Sequence, residues 1–96
     1  MSAILVINFH VKPEHLDTLI GILEGAKRDL PGNGEGCSAV RVLQDVHDPL
    51  RFKLMETWDS VECHQVHFEA INASGDWPNI VAMMQTEPKR EYYKDI

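Results

Sequence analysis

Glu56, Trp58, His64 and His67 fall within twelve residues of one another and carry the side-chain types that move a proton inside an apolar cavity. An imidazole titrates near neutral pH and accepts a proton that comes within hydrogen-bond reach, which makes His67 the candidate general base. A carboxylate among apolar neighbours is costly unless paired, so Glu56 can hold a neighbouring imidazolium or share its proton. An indole offers a flat face for an aromatic ligand. Each also has a plainer reading: a helix histidine bonded to a carbonyl, a carboxylate in a structural hydrogen bond, a core tryptophan.

Sharing a cavity requires a strand that leads into a helix. Along the strand residues alternate faces, so Phe52, Leu54, Glu56 and Trp58 share one face while Arg51, Lys53, Met55 and Thr57 share the other. In the helix that follows, Val61, His64, Phe68 and Ile71 recur at the three-and-four spacing of a buried stripe, with His67 one step beside it. Asn8 and His10 share a face of the N-terminal apolar segment and line the cavity if that face meets the helices; otherwise His10 lies in solvent at a strand end. Asn8 can donate and accept at once, which suits orientation of a bound substrate.

Other chemistries find less support. Cys63, His64 and His67 cluster within five residues, but zinc needs three or four convergent ligands and the His-x-x-His spacing alone is weak, so no metal site is predicted. The glycines at 32, 34 and 36 follow a helix rather than opening one after a strand, which removes a phosphate-loop reading. No Ser or Cys nucleophile motif is present.

Composition bounds the partners. A chain of 96 residues predicts one domain over 1–96, and its 44% hydrophobic and 25% charged residues are those of a globular protein. The 15 acidic against 9 basic residues give a net charge of −6, which repels nucleic acid and anionic lipid. Two cysteines in unrelated contexts predict free thiols in a reducing cytoplasm. The apolar run from Ala3 to Phe9 is too short to span a membrane and lacks the charged and cleavable flanks of a signal peptide.

That run reads as a strand, with Leu5, Ile7, Phe9 and Val11 on one apolar face. Lys12-Pro13-Glu14 opens a helix whose apolar stripe continues to about Leu30, and the breaker cluster from Pro31 to Gly36 follows as a loop. A strand from Cys37 to about Asp45 turns at His47-Asp48-Pro49 into the third strand, making an antiparallel hairpin. Asp59 and Glu62 resemble a capping box for a helix to about Ala73; Trp77-Pro78 opens a short helix through Met84, and Pro88 to Lys94 is a last strand. The order β-α-β-β-α-(α)-β predicts an α+β, ferredoxin-like, four-stranded antiparallel sheet with helices on one face. The other face, assigned here Leu5, Ile7, Phe9 and Val11, predicts a two-fold homodimer through the sheet.

With VKPE at the first helix, GC at the second strand, QDVHDPLRFKLMETW across the hairpin and a helix histidine nine residues after the tryptophan, the chain resembles the antibiotic biosynthesis monooxygenase family of dimeric α+β-barrel proteins. The resemblance covers almost the whole chain. It implies sheets packed face to face, one pocket per subunit, and oxygen chemistry without a bound cofactor, in which a deprotonated phenol or hydroquinone reduces O2. It also implies roles for Trp58, Asn8 and His67, which match family positions. Two departures stand out: the polyketide oxidases have an Asn four residues before the tryptophan, where this chain has Leu54, and heme degraders ligate iron with a His beyond the position of His67, where this chain has none.

The expected catalytic set is therefore His67, Asn8 and Trp58, with His10, Leu54, Glu56, His64 and Phe68 binding a small electron-rich aromatic substrate. Isomerisation of a small carbonyl compound in the same pocket, or ligand binding without turnover in a stress-related dimer, are the alternatives.

Overall fold

The computed structural model describes residues 2–96. Strand β1 (Ala3–His10) leads through a 3-10 turn at Pro13–His15 into helix α1 (Leu16–Asp29). Strands β2 (Cys37–Gln44) and β3 (Arg51–Trp58) form the hairpin, helices α2 (Val61–Ala73) and α3 (Asp76–Ala82) follow, and β4 (Lys89–Tyr93) closes the sheet. The strands are antiparallel in the order β2-β3-β1-β4, the ferredoxin-like α+β arrangement that the sequence predicts.

Element ends follow local chemistry. Proline at the start of the 3-10 turn needs no amide partner there, and α1 begins only after that turn. Helix α2 is capped one residue later than expected: Ser60 Oγ accepts the Cys63 amide at 3.1 Å, while the Asp59 amide donates to the Gly36 carbonyl at 2.8 Å. Asp59 is thus committed to the preceding loop. Between α2 and α3 the chain reverses at Gly75, whose φ of 90° falls in the left-handed region that glycine tolerates.

The register of β1 on β3 decides which face is which. Leu5 lies opposite Glu56, Ile7 opposite Leu54 and Phe9 opposite Phe52, so the two inward-facing sets form a single surface. Leu19 and Leu23 of α1 and Met83 and Met84 after α3 pack on it, leaving Leu5, Val11, Leu19 and Trp58 almost fully enclosed. Each large aliphatic side chain so buried contributes about 1.5–3 kcal/mol.

This corrects the expectation that Leu5, Ile7, Phe9 and Val11 form the uncovered face. They are the floor beneath the helices. The open face carries the alternate set instead, with Ile4, Val6 and Met55 at its centre, Tyr93 beside Ile4, and Asn8 beside Lys53 and Lys89.

Candidate functional site

Sheet, α1, α2, α3 and the 31–36 loop enclose a cavity of about 470 Å³. Its floor is Leu5, Ile7, Phe9, Leu54 and Glu56; its walls include Leu23 and Ile22 of α1, Phe68 and Ile71 of α2, and Trp77 and Ile80 of α3. The volume suits a small molecule, and the lining is mostly apolar with a few polar groups. Positions 64 and 67, three apart on a helix, share a face, and both histidines reach this space.

His67 is held by a residue the sequence does not single out. Its Nδ1 lies 3.2 Å from Glu35 Oε2, and that same oxygen accepts the Asn33 side-chain amide at 2.8 Å. The Glu35 backbone amide donates to Asn33 Oδ1 at 3.0 Å, so the loop fixes its own carboxylate before offering it to the imidazole. The two partners are 32 residues apart, and Glu35 sits among glycines in a segment that reads only as a breaker.

His64 is buried, with Nδ1 2.6 Å from the Tyr92 hydroxyl. Tyr92 faces Leu5 across the β1–β4 pairing and therefore points to the helix side, a consequence of register in a five-residue strand that the sequence alone does not fix. Burial, with the neighbouring charges of His67 and Arg90, pushes the His64 pKa down to about 4. At neutral pH this ring is uncharged. Burial also raises the Tyr92 phenol, opposed by Arg90, so the hydroxyl keeps its proton.

Glu56 Oε1 accepts the Trp58 indole N–H at 2.9 Å. Burial raises its pKa above the ordinary carboxylate value; the indole hydrogen bond and then the His67 charge act in the opposite direction. The Trp58 ring centre lies 5.3 Å from that of His64 and 5.2 Å from that of His67. Only 1% exposed and absent from the lining, Trp58 stands one layer behind the cavity, where it fixes Glu56 and backs both imidazoles. The expected place of Trp58 as a stacking wall is corrected accordingly.

Leu54, Glu56, His64, His67 and Phe68 thus meet in one cavity. Asn8 and His10 do not. Strand alternation sets Asn8 beside Lys53 and His10 beside Arg51 on the opposite side of the sheet; Asn8 is exposed and His10 Nε2 lies 3.8 Å from Asp48 Oδ2. Their expected catalytic and substrate-binding places in this pocket are therefore withdrawn. Among the described residues no group of three or more His, Cys, Asp or Glu side chains is arranged to hold a metal ion, and burial pushes the Cys37 thiol up to about 11.

The buried imidazole gives the fold an acid-sensitive element. Because folded His64 binds a proton more weakly than the unfolded chain does, its contribution is fully present above the ordinary value of 6.5 and is lost as pH falls from there towards about 4. Inside that window the loss is about 1.4 kcal/mol per pH unit for this one group. Glu56 acts with the opposite sign, since a carboxyl raised by folding favours the folded state at lower pH. Urea titrations of the parent and His64→Gln at several pH values separate the two. The variant should lose the decline between 6.5 and about 4, and an identical decline in both proteins would refute the assignment to His64.

The family model for antibiotic biosynthesis monooxygenase matches residues 2–73, and the chain belongs to that family. A crystal structure of an antibiotic biosynthesis monooxygenase superposes with a TM-score of 0.79 at 20% identity, covering 100% of this chain and 99% of that one. A Mycobacterium tuberculosis protein gives a TM-score of 0.81 at 12% identity, covering 100% and 96% of the two chains. A Nitrosomonas europaea protein gives 0.79 at 20% identity, covering 98% of each. No curated protein sequence matches. At these identities the structural likeness establishes the fold.

Proposed function

We propose that this chain is a cofactor-independent monooxygenase of a small hydroquinone or related phenol, with His67 as the base. The observation that carries this reading is the Glu35–His67 pair at the edge of an apolar cavity. Glu35 occupies Nδ1 and leaves Nε2 for the substrate. Removal of the phenolic proton makes an electron-rich anion that reduces O2, so the substrate itself supplies the electrons. For a hydroquinone the balance is one O2 consumed, one oxygen atom entering the ring in place of a C–H hydrogen, hydroxyquinone as product and one water released. An apolar enclosure strengthens the base–substrate interaction and limits hydrolysis of reactive intermediates.

Family membership supports the oxygenase class, and the volume and apolar lining of the cavity support a small, largely apolar ligand. Free thiols at Cys37 and Cys63 fit a reducing cytoplasm. Oxygen uptake against a panel of neutral hydroquinones and polycyclic phenols tests the activity. Uptake above autoxidation, with product carrying one atom of labelled O2, supports it; no uptake across the panel rejects it.

The dimer is assigned to the open face of the sheet. Ile4, Val6, Met55 and Tyr93 give that face an apolar centre, and Leu43, 39% exposed, extends it along β2. Val6 is nearly buried by its own neighbours and sits mid-strand, so a charge there spoils face-to-face packing. Light scattering should show a dimer for the parent and a monomer for Val6→Glu. A monomeric parent at micromolar concentration contradicts this assignment.

A further inference from the structure

His64 and His67 face one cavity, but their outer partners are of opposite kinds. A carboxylate only accepts, so the Glu35 contact at 3.2 Å requires a proton on His67 Nδ1 and leaves Nε2 of the neutral ring as a lone pair. A tyrosine hydroxyl and an imidazole nitrogen can each give or accept, so in the 2.6 Å Tyr92–His64 contact acidity decides the direction. A phenol is the stronger acid and an imidazole nitrogen the stronger base of the pair, so Tyr92 donates to His64 Nδ1.

From this we infer that His64 and His67 are held in opposite tautomers, and that His64 Nε2–H is a hydrogen-bond donor to the substrate oxygen that becomes anionic. Tyr92 is the positioning residue that fixes this state from outside the cavity. The inference deepens the oxygenase reading and rests on it for the identity of the oxygen. Among the described residues His64 Nε2 has no protein partner, and no buried side-chain nitrogen or oxygen is left unsatisfied, so this N–H opens into the cavity.

The electrostatics support a donor that stays a donor. Burial, with the Arg90 charge acting in the same direction, keeps His64 neutral, so the ring carries a single N–H and the Tyr92 contact at Nδ1 sets which nitrogen holds it. Arg90, stacked 3.8 Å above the Phe68 ring, lies on the same side as Tyr92, while Glu69 and Glu87 line the groove that Tyr92 borders. The substrate class follows: a neutral phenol whose hydroxyl loses its proton to His67 and, as the oxygen becomes anionic, accepts a hydrogen bond from His64. A hydroquinone meets that requirement.

Nitrogen-15 NMR of the full chain without substrate reads the tautomers directly at neutral pH. The expected result is His64 protonated on Nε2 and His67 protonated on Nδ1, with Tyr92→Phe turning His64 into a mixture while His67 is unchanged. His64 protonated on Nδ1 in the parent, or an unaltered His64 in Tyr92→Phe, overturns the inference. In turnover Tyr92→Phe should lower kcat by about tenfold for a hydroquinone with little change in KM, since a donor aimed at developing charge acts in the transition state. Because the spectra need no substrate, lack of oxygen uptake would reject the oxygenase reading, whereas wrong tautomers would reject this inference whatever the uptake.

Discussion

Replacing His67 with alanine is expected to lower hydroquinone-dependent oxygen uptake by about 10²–10⁴-fold, the usual contribution of a positioned general base. The effect should fall on kcat more than on KM, because the cavity floor and walls that hold the ring are apolar and stay in place. His67 is partly exposed at a helix surface, so its truncation leaves the core intact and the variant should melt close to the parent. Glu35→Gln is the companion. A neutral amide can present either its oxygen or its NH2 group to the ring, so the tautomer is no longer enforced, and kcat should fall by a smaller factor. Uptake in His67→Ala equal to the parent would remove His67 from the chemistry.

The largest stability effect is expected at Trp58. Truncation to alanine removes a fully buried indole and should cost about 3–5 kcal/mol by urea unfolding, a large share of the 5–15 kcal/mol typical of a small domain. Part of that loss is polar, since Glu56 Oε1 would lose its donor at 2.9 Å inside the protein. Trp58→Phe keeps most of the ring and drops the N–H, so it isolates the polar part at about 1–3 kcal/mol. A loss below about 1 kcal/mol in Trp58→Ala would contradict its place as the brace behind both histidines.

Much of this arrangement can be read from the residues. The β3 alternation and the α2 stripe bring Leu54, Glu56, His64, His67 and Phe68 to one cavity because each rests on a short-range period within a single element. What the sequence misassigns is the sidedness of β1. Leu5, Ile7, Phe9 and Val11 are plainly one face, but whether helices cover that face depends on its pairing with β3, where Leu5 meets Glu56. Asn8 and His10 go astray for the same reason. Glu35 and Tyr92 are illegible for a different one: each acts on a histidine about thirty residues away, from a loop and from an edge strand whose own patterns carry no chemical signal.

The loop that carries Glu35 also has a mechanical meaning. Gly36 adopts a φ of 106°, and a side-chain carbon there would lie 3.2 Å from both Cβ and Sγ of Cys63, so the chain runs hard against the first turn of α2. Its carbonyl is tied to Asp59, and the Gly32 amide to the Cys37 carbonyl at 3.0 Å. The Glu35 carboxylate is therefore clamped one residue from the point where the loop meets the helix that bears His67. The two partners ride on a common chassis of loop and α2, and α1 contributes neither. Enlarging residue 36 would pry that chassis apart without touching either partner.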